Sequence, residues 1–361
     1  MRCFNLKRLI ALVLSVLMIL CLFAGCSKDE KDPSAPTVNG NGLNEHETAE
    51  GPVNPLTGEP VSEDISANRP YCVMINNHPE ARPSVGLSKA SIIYEALAEG
   101  GITRMMAVFN DVDGITVGTI RSSRPYYISA AQAYDAIYVH AGGSEQAYSD
   151  IKSLGINNID GVRGSRSGEA SSYYRDKTRL SMGKNLEHTL FADGAKLAAF
   201  AANNYDLKHA SGYDTTYGLH FAADAVSQCT TAAADFTVYY SGYCTNFKYN
   251  AEKKCYNAYI SGEEYIDGTD NTSIDLANVI VLNIPTKTID NYGRQAMELT
   301  GSGSGYFFTG GKYVEINWTR ADRADNFHYT LKDGTPLNLS VGKTFISIAP
   351  LDNTKGIAFN G

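Results

Sequence analysis

Thr116-Val117-Gly118-Thr119-Ile120, followed by Arg121-Ser122-Ser123-Arg124-Pro125, is the stretch on which the reading of the fold turns. A short β-branched run passes through a polar turn into a helical pattern over residues 126–134. A second apolar run at residues 136–139 then leads into His140-Ala141-Gly142-Gly143-Ser144 and another helical pattern ending near Leu154. Pro125 suits the first turn of a helix, and Ser123 and Ser144 are candidate N-caps. The spacing predicts a strand-helix-strand-helix unit. If its strands are parallel, the crossover sets both turns at their carboxyl ends, where helix N-termini point unpaired N–H groups outward.

Arg121, Arg124 and His140 would then share an electropositive crevice, with Ser122 and Ser144 beside it. Gly142 and Gly143 would let a ligand approach the backbone, and the guanidiniums and amides would supply donors for an anion. The competing reading pairs the arginines with the protein's own carboxylates and leaves the glycines to shape a turn. Both stand at this point.

The chain has 361 residues and is 43% hydrophobic, enough for a substantial core in one large or two modest domains. Its formal charge is -8, and loss of Arg2, Lys7 and Arg8 with a leader would make the remainder more acidic still. That balance argues against general nucleic-acid binding, which needs a basic face.

Arg2, Lys7 and Arg8 precede an apolar run over residues 9–23 that closes in Leu22-Phe23-Ala24-Gly25-Cys26. The run has the order of a secretory signal and is short for a membrane span. Its end resembles the lipobox of bacterial lipoproteins, with Phe23 in place of the usual Leu. That resemblance implies removal of residues 1–25, acylation of Cys26, and an anchor on the outer face of the cytoplasmic membrane. Residues 26–63, rich in acidic and turn-forming types, read as a flexible acidic linker.

Order is expected from residue 64, with Tyr71-Cys72-Val73-Met74-Ile75 as the first clear strand. The segment around Ile93-Tyr94-Glu95, the pair Gly100-Gly101, and the run from Ile102 to Phe109 suggest two strands joined by a glycine-rich bend. Residues 155–183 read as a long surface excursion, and an Ala-rich run from Ala192 as a helix. From Phe236 aromatic and polar residues alternate, as in strands that pack side by side. The expectation is a mixed α/β protein. An α/β domain spans residues 64–230, and a smaller β-rich domain spans 231–361.

With these segments in view, the chain resembles the YerB-like lipoproteins. The resemblance is carried by Arg69-Pro70, Ile93-Tyr94-Glu95, Glu99-Gly100-Gly101-Ile102-Thr103-Arg104 and Ile120-Arg121-Ser122-Ser123-Arg124. His140-Ala141-Gly142-Gly143-Ser144, Asn278-Val279-Ile280-Val281 and Gly342-Lys343-Thr344 extend it. Thr119, Ser123 and Phe345 depart from the Pro, Ala and Trp expected there. The resemblance implies layered mixed sheets with helices in the first domain and a smaller C-terminal domain. It implies no particular activity.

No Gly-x-Ser-x-Gly elbow is present, and neither His-x-x-x-His nor Cys-x-x-Cys spacing occurs, so no catalytic set, metal or cofactor is assigned. Cys72, Cys229, Cys244 and Cys255 would allow two disulfides outside the cytoplasm, with their pairing open. The favoured reading is a lipid-anchored envelope protein that binds an anionic cell-wall component or a partner protein through Arg104, Arg121, Arg124 and His140. Two others remain: a phosphotransferase on wall polymers, with Glu95, Glu99 or His140 as acid or base, and a non-catalytic scaffold.

Overall fold

The computed structural model describes residues 51–350 and 356–360. The leader, Cys26 and most of the expected linker lie outside them.

Ten strands in a line make the central sheet, and in chain order they are β1 (Tyr71–Asn76), β2 (Ile92–Leu97), β3 (Thr103–Phe109), β4 (Ile137–His140), β5 (Asn158–Asp160), β6 (Asn278–Ile284), β7 (Gly301–Thr309), β8 (Lys312–Arg320), β9 (His328–Leu331) and β10 (Thr344–Pro350). Their spatial order is β9-β8-β7-β6-β10-β2-β3-β1-β4-β5, with Thr231–Ala232 also pairing to β8. Neighbours β1/β4, β4/β5, β6/β10 and β2/β10 are parallel and the others antiparallel, so the sheet is mixed. The β2/β10 seam joins strands from the two halves of the chain, which lie on either side of the expected boundary near residue 230.

The middle strands β1, β2, β3 and β10 are buried along their whole length. Apart from Glu95 on β2 and Thr103 and Arg104 on β3, they read as largely apolar runs because both faces are covered. Period-two alternation divides them. Tyr71, Val73 and Ile75 join one core, and Cys72 and Met74 join the other.

The first core lies beneath a five-stranded antiparallel sheet made of Glu263–Glu264, Cys255–Ile260, Tyr243–Asn250, Asp235–Tyr240 and Ile357–Phe359. Its aromatics key onto the central sheet: Phe236 stacks on Phe308 with ring centres 3.7 Å apart, and Phe247 meets Phe345 edge-on at 5.1 Å. The alternation from Phe236 onward therefore serves packing between layers.

The opposite face carries α1 (Pro125–Gln132) and α2 (Glu145–Ser153). The Tyr126 and Tyr127 hydroxyls tie α1 down by donating to the carbonyls of Leu97 and Arg104. Two further helices follow, α3 (Lys177–Ser181) and α4 (Gly194–Asn204), the latter the helix expected from its Ala-rich run and capped by Asp193.

Two expectations are corrected. The run at residues 116–120 is not the parallel partner of β4. Thr116–Gly118 pairs antiparallel with Leu190–Asp193 in a separate three-stranded sheet, completed by Tyr173–Arg175. Gly118 fixes this choice, because a Cβ there would lie 2.5 Å from the Phe191 ring. The parallel neighbours of β4 are β1 and β5.

The linker also ends earlier than residue 63. Leu56 is 0% exposed in the helix-side core, the Gly342 amide donates to Thr57 O at 2.8 Å, and Val53 bridges Pro60. One buried Leu is worth about 2 kcal/mol, comparable to ordering only one or two residues. The hydrogen-bonded turn around Asn54 is therefore needed as well. Among the described residues, no disulfide joins Cys72, Cys229, Cys244 or Cys255.

Candidate functional site

The two expected reversals lie side by side although their flanking strands belong to different sheets. The Ser123 amide donates to Gly142 O at 2.9 Å, the Ala141 amide to Arg121 O at 3.0 Å and the Ser144 amide to Ser123 O at 3.4 Å. Gly142 has φ +76°, a conformation glycine adopts without strain. Ser144 caps α2 by accepting from the Ala147 amide at 3.2 Å. Ser123 is not the cap of α1. Arg124 holds that position without a side-chain bond, and Ser123 Oγ instead accepts from the Tyr138 hydroxyl at 3.0 Å.

Asp160, at the end of β5, organises the glycine turn. Its carboxylate accepts from the Gly142 amide at 2.8 Å, the Val162 amide at 2.9 Å and the Tyr148 hydroxyl at 2.8 Å. Burial acts to raise this carboxyl, but the His140 charge and these donors outweigh it and hold it below the usual range. The Gly142 amide is thus spent internally. His140 is 0% exposed, and its nitrogens reach Gly142 O at 2.9 Å and Asn158 Oδ1 at 3.2 Å. It supports the turn from beneath and does not line an open crevice.

The arginines are met by carboxylates. Glu99 takes both Arg124 Nε and, at 3.1 Å, Arg104 Nη2. Arg104 also donates to Ser122 O at 2.9 Å, and Arg124 Nη1 to Ser123 O at 2.6 Å. Burial acts to raise the Glu99 carboxyl, yet the Arg124 hydrogen bond and the two positive charges hold it below the ordinary range. Burial, and then the Arg124 charge, push the Arg104 guanidinium below its ordinary value. Two guanidiniums share one carboxylate, leaving a net positive centre. Arg121 pairs separately with Glu187 at 2.6 Å, near the surface.

Glu95 does not join this group. Side chains alternate along β2 and β3, so Arg104 faces the helices while Glu95 faces the five-stranded sheet. It is 0% exposed and bonds to Thr103 at 2.6 Å, Thr245 at 2.8 Å and Asn77 at 3.2 Å. Burial raises its carboxyl and outweighs those bonds. Of the acid/base candidates, Glu95 is sealed, Glu99 is clamped by two arginines and His140 is buried. Ser-x-x-Lys spacing occurs at Ser149/Lys152 and Ser181/Lys184, where both serines are exposed, and at Ser340/Lys343, where the Ser340 hydroxyl is bonded to that of Thr309.

Beside Arg124 opens a cleft of about 330 Å³, between the N-termini of α1 and α2 and the hairpin Thr286–Thr288/Gln295–Met297. Arg124, Arg294 and Arg323 line it together with Ile289, Met297 and Leu299. Arg294 pairs with Asp290 at 2.8 Å and Arg323 with Asp150 at 3.2 Å, while Arg323 Nε is buried with no partner among the described residues. Sequence reasoning missed Arg294, Arg323, Asp160 and Glu187, because each reaches the site from a distant part of the chain. Asp160, with a Gly beside it at the end of a short strand, was the one with a local signal.

Comparison with known proteins fits this architecture. Residues 56–210 match the N-terminal domain, and residues 235–346 the C-terminal domain, of a family described as proteins of unknown function (DUF3048). The YerB protein of Bacillus subtilis, whose name marks it as a candidate lipoprotein, is 30% identical over 298 residues, covering 82% of this chain and 86% of YerB. The chain belongs to the YerB-like lipoprotein family. A crystal structure of Bacillus subtilis YerB matches with a TM-score of 0.70 at 28% identity, covering 83% of this chain and 97% of that one. The YerB-like fold is therefore shared, with its mixed sheets and two family domains.

Proposed function

We propose that this YerB-like protein is anchored through Cys26 to the outer face of the cytoplasmic membrane and holds an envelope ligand bearing an anionic group and an apolar segment. The observation that carries this reading is the cleft beside Arg124, where guanidiniums and an apolar wall of Ile289, Met297 and Leu299 meet the first turns of two helices. Among the described residues Arg124 Nη2 has no partner, which leaves a donor beside the cleft. Mixed linings of this kind fix a polar head and bury an apolar body. The Tyr126 amide in the first turn of α1 and the Glu145 and Gln146 amides in that of α2 add N–H groups that no residue within the helix can satisfy.

The relative's description as a candidate lipoprotein and the Leu22-Phe23-Ala24-Gly25-Cys26 pattern support the anchor. The test is co-sedimentation of the full chain with purified anionic wall polymer, compared with the Arg294→Ala and Arg124→Ala variants. Arg294→Ala is expected to weaken binding with unchanged melting, because its pair with Asp290 is local and half-exposed. Full retention of binding in both variants sinks the proposal.

A further inference from the structure

A second cleft, of about 450 Å³, lies where the three-stranded sheet and α3 meet the loop around Gly268 and Thr269. Its charged lining is Arg82, Arg179, Lys184 and a single carboxylate, Asp176. That carboxylate is occupied locally, since Asp176 Oδ1 accepts the Arg179 amide at 2.7 Å. The cationic side chains differ from those beside Glu99 in what they rest on. Arg179 donates to the carbonyls of Ala81 at 2.6 Å, His188 at 3.4 Å and Pro83 at 2.5 Å, and pairs with no carboxylate among the described residues. Arg82 donates to Asn77 O at 3.2 Å and to the Tyr243 hydroxyl, also neutral groups. Glu95 lies within its field, but burial holds that carboxyl towards its neutral form. Lys184 has no ion-pair partner among the described residues.

Half-buried guanidiniums seated on carbonyls keep their full charge and spare N–H donors for an external anion. Burial pushes the Arg179 guanidinium below its ordinary value and outweighs the opposing charge of Asp176. Beside the charges stands an aromatic plate. Tyr174 is 44% exposed and stacks on buried Phe191, with ring centres 6.0 Å apart and planes inclined by 26°. Both rings line the cleft.

We propose that this cleft is a second binding site, for a sugar that carries a phosphate or carboxylate. The acid group sits against Arg179, Lys184 and Arg82, and the apolar face of the ring lies on Tyr174. The site shares no lining residue with the cleft beside Arg124 and stands independently of it.

The experiment is calorimetric titration of the full chain, in detergent, with glucose 6-phosphate, glucuronate, glucose and inorganic phosphate. The two acidic sugars are expected to bind saturably and glucose not to bind. Inorganic phosphate, lacking the ring, should bind about tenfold more weakly. Because Arg179 also holds three backbone carbonyls, the variants are Lys184→Glu and Tyr174→Ala, whose side chains make no hydrogen bond among the described residues. Lys184→Glu should weaken both acidic sugars about tenfold. Tyr174→Ala should weaken the sugars and leave phosphate unchanged. Arg294→Ala should change nothing here, so this site can fail without the other failing. Absence of saturable binding by either acidic sugar overturns the proposal, as does binding indifferent to both variants. Equal affinity for phosphate and glucose 6-phosphate overturns the sugar assignment.

Discussion

Glu95 and Glu99 belong to the same short segment, one on β2 and the other just beyond it, yet the central sheet puts them in opposite electrostatic worlds. Glu99 emerges on the helix side between Arg104 and Arg124 and is held charged. Glu95 is sealed beneath the five-stranded sheet among neutral donors, and burial drives it towards its protonated form. The layer that covers a face sets the charge state of an acid on it. In a dry interior a carboxylate needs a cation to remain ionised, and without one it takes up a proton instead.

Removing Glu99 tests the contrast most severely. Glu99→Ala leaves two largely buried guanidiniums without a counter-charge, and is expected to lower the free energy of unfolding by about 3 kcal/mol, measured by urea denaturation at neutral pH. Loss of less than about 1 kcal/mol would mean that solvent already screens the cluster.

The two acids should also give opposite pH dependences. Glu99 has a depressed folded-state pKa, so its contribution is present above the ordinary carboxyl pKa and lost as pH falls. Glu95 has a raised one. Its contribution is complete below the ordinary carboxyl pKa and lost as pH rises through the raised folded value. Glu95→Gln preserves shape and neutrality. It should match the wild type in acid and exceed it by about 1 kcal/mol at alkaline pH, read from melting curves across pH. A variant whose decline with rising pH is as steep as the wild type's would remove Glu95 as the cause.

The smallest effect belongs to Arg121. Its pair with Glu187 is near the surface, so Arg121→Ala should cost about 0.5 kcal/mol and lose most of that in high salt. A cost as large as that of Glu99→Ala would show the arginines acting as one network.

Much of the architecture was legible locally. Gly100-Gly101 between two apolar runs announced the β2/β3 hairpin, and Pro125 and Ser144 marked the starts of α1 and α2. The linker was overextended because Leu56 is one apolar residue in a polar stretch, and its burial depends on a turn and a partner amide from Gly342. The run at 116–120 was misplaced because strand propensity names no partner. The close approach of Gly118 to Phe191, which decides it, is a contact between distant residues.

The sequence by itself determined the mixed layering, the apolar runs of the buried strands, the glycine turn and the family, since each depends on residue type and spacing along the chain. Only the tertiary structure decided which charges meet. Glu187, Asp160, Arg323 and Arg179 come to their partners from far away in sequence, and the pleat of β2 sends Glu95 and Arg104 to opposite faces. Whether an arginine is spent or available depends on what lies within a few ångströms of it, and that distance is set by packing.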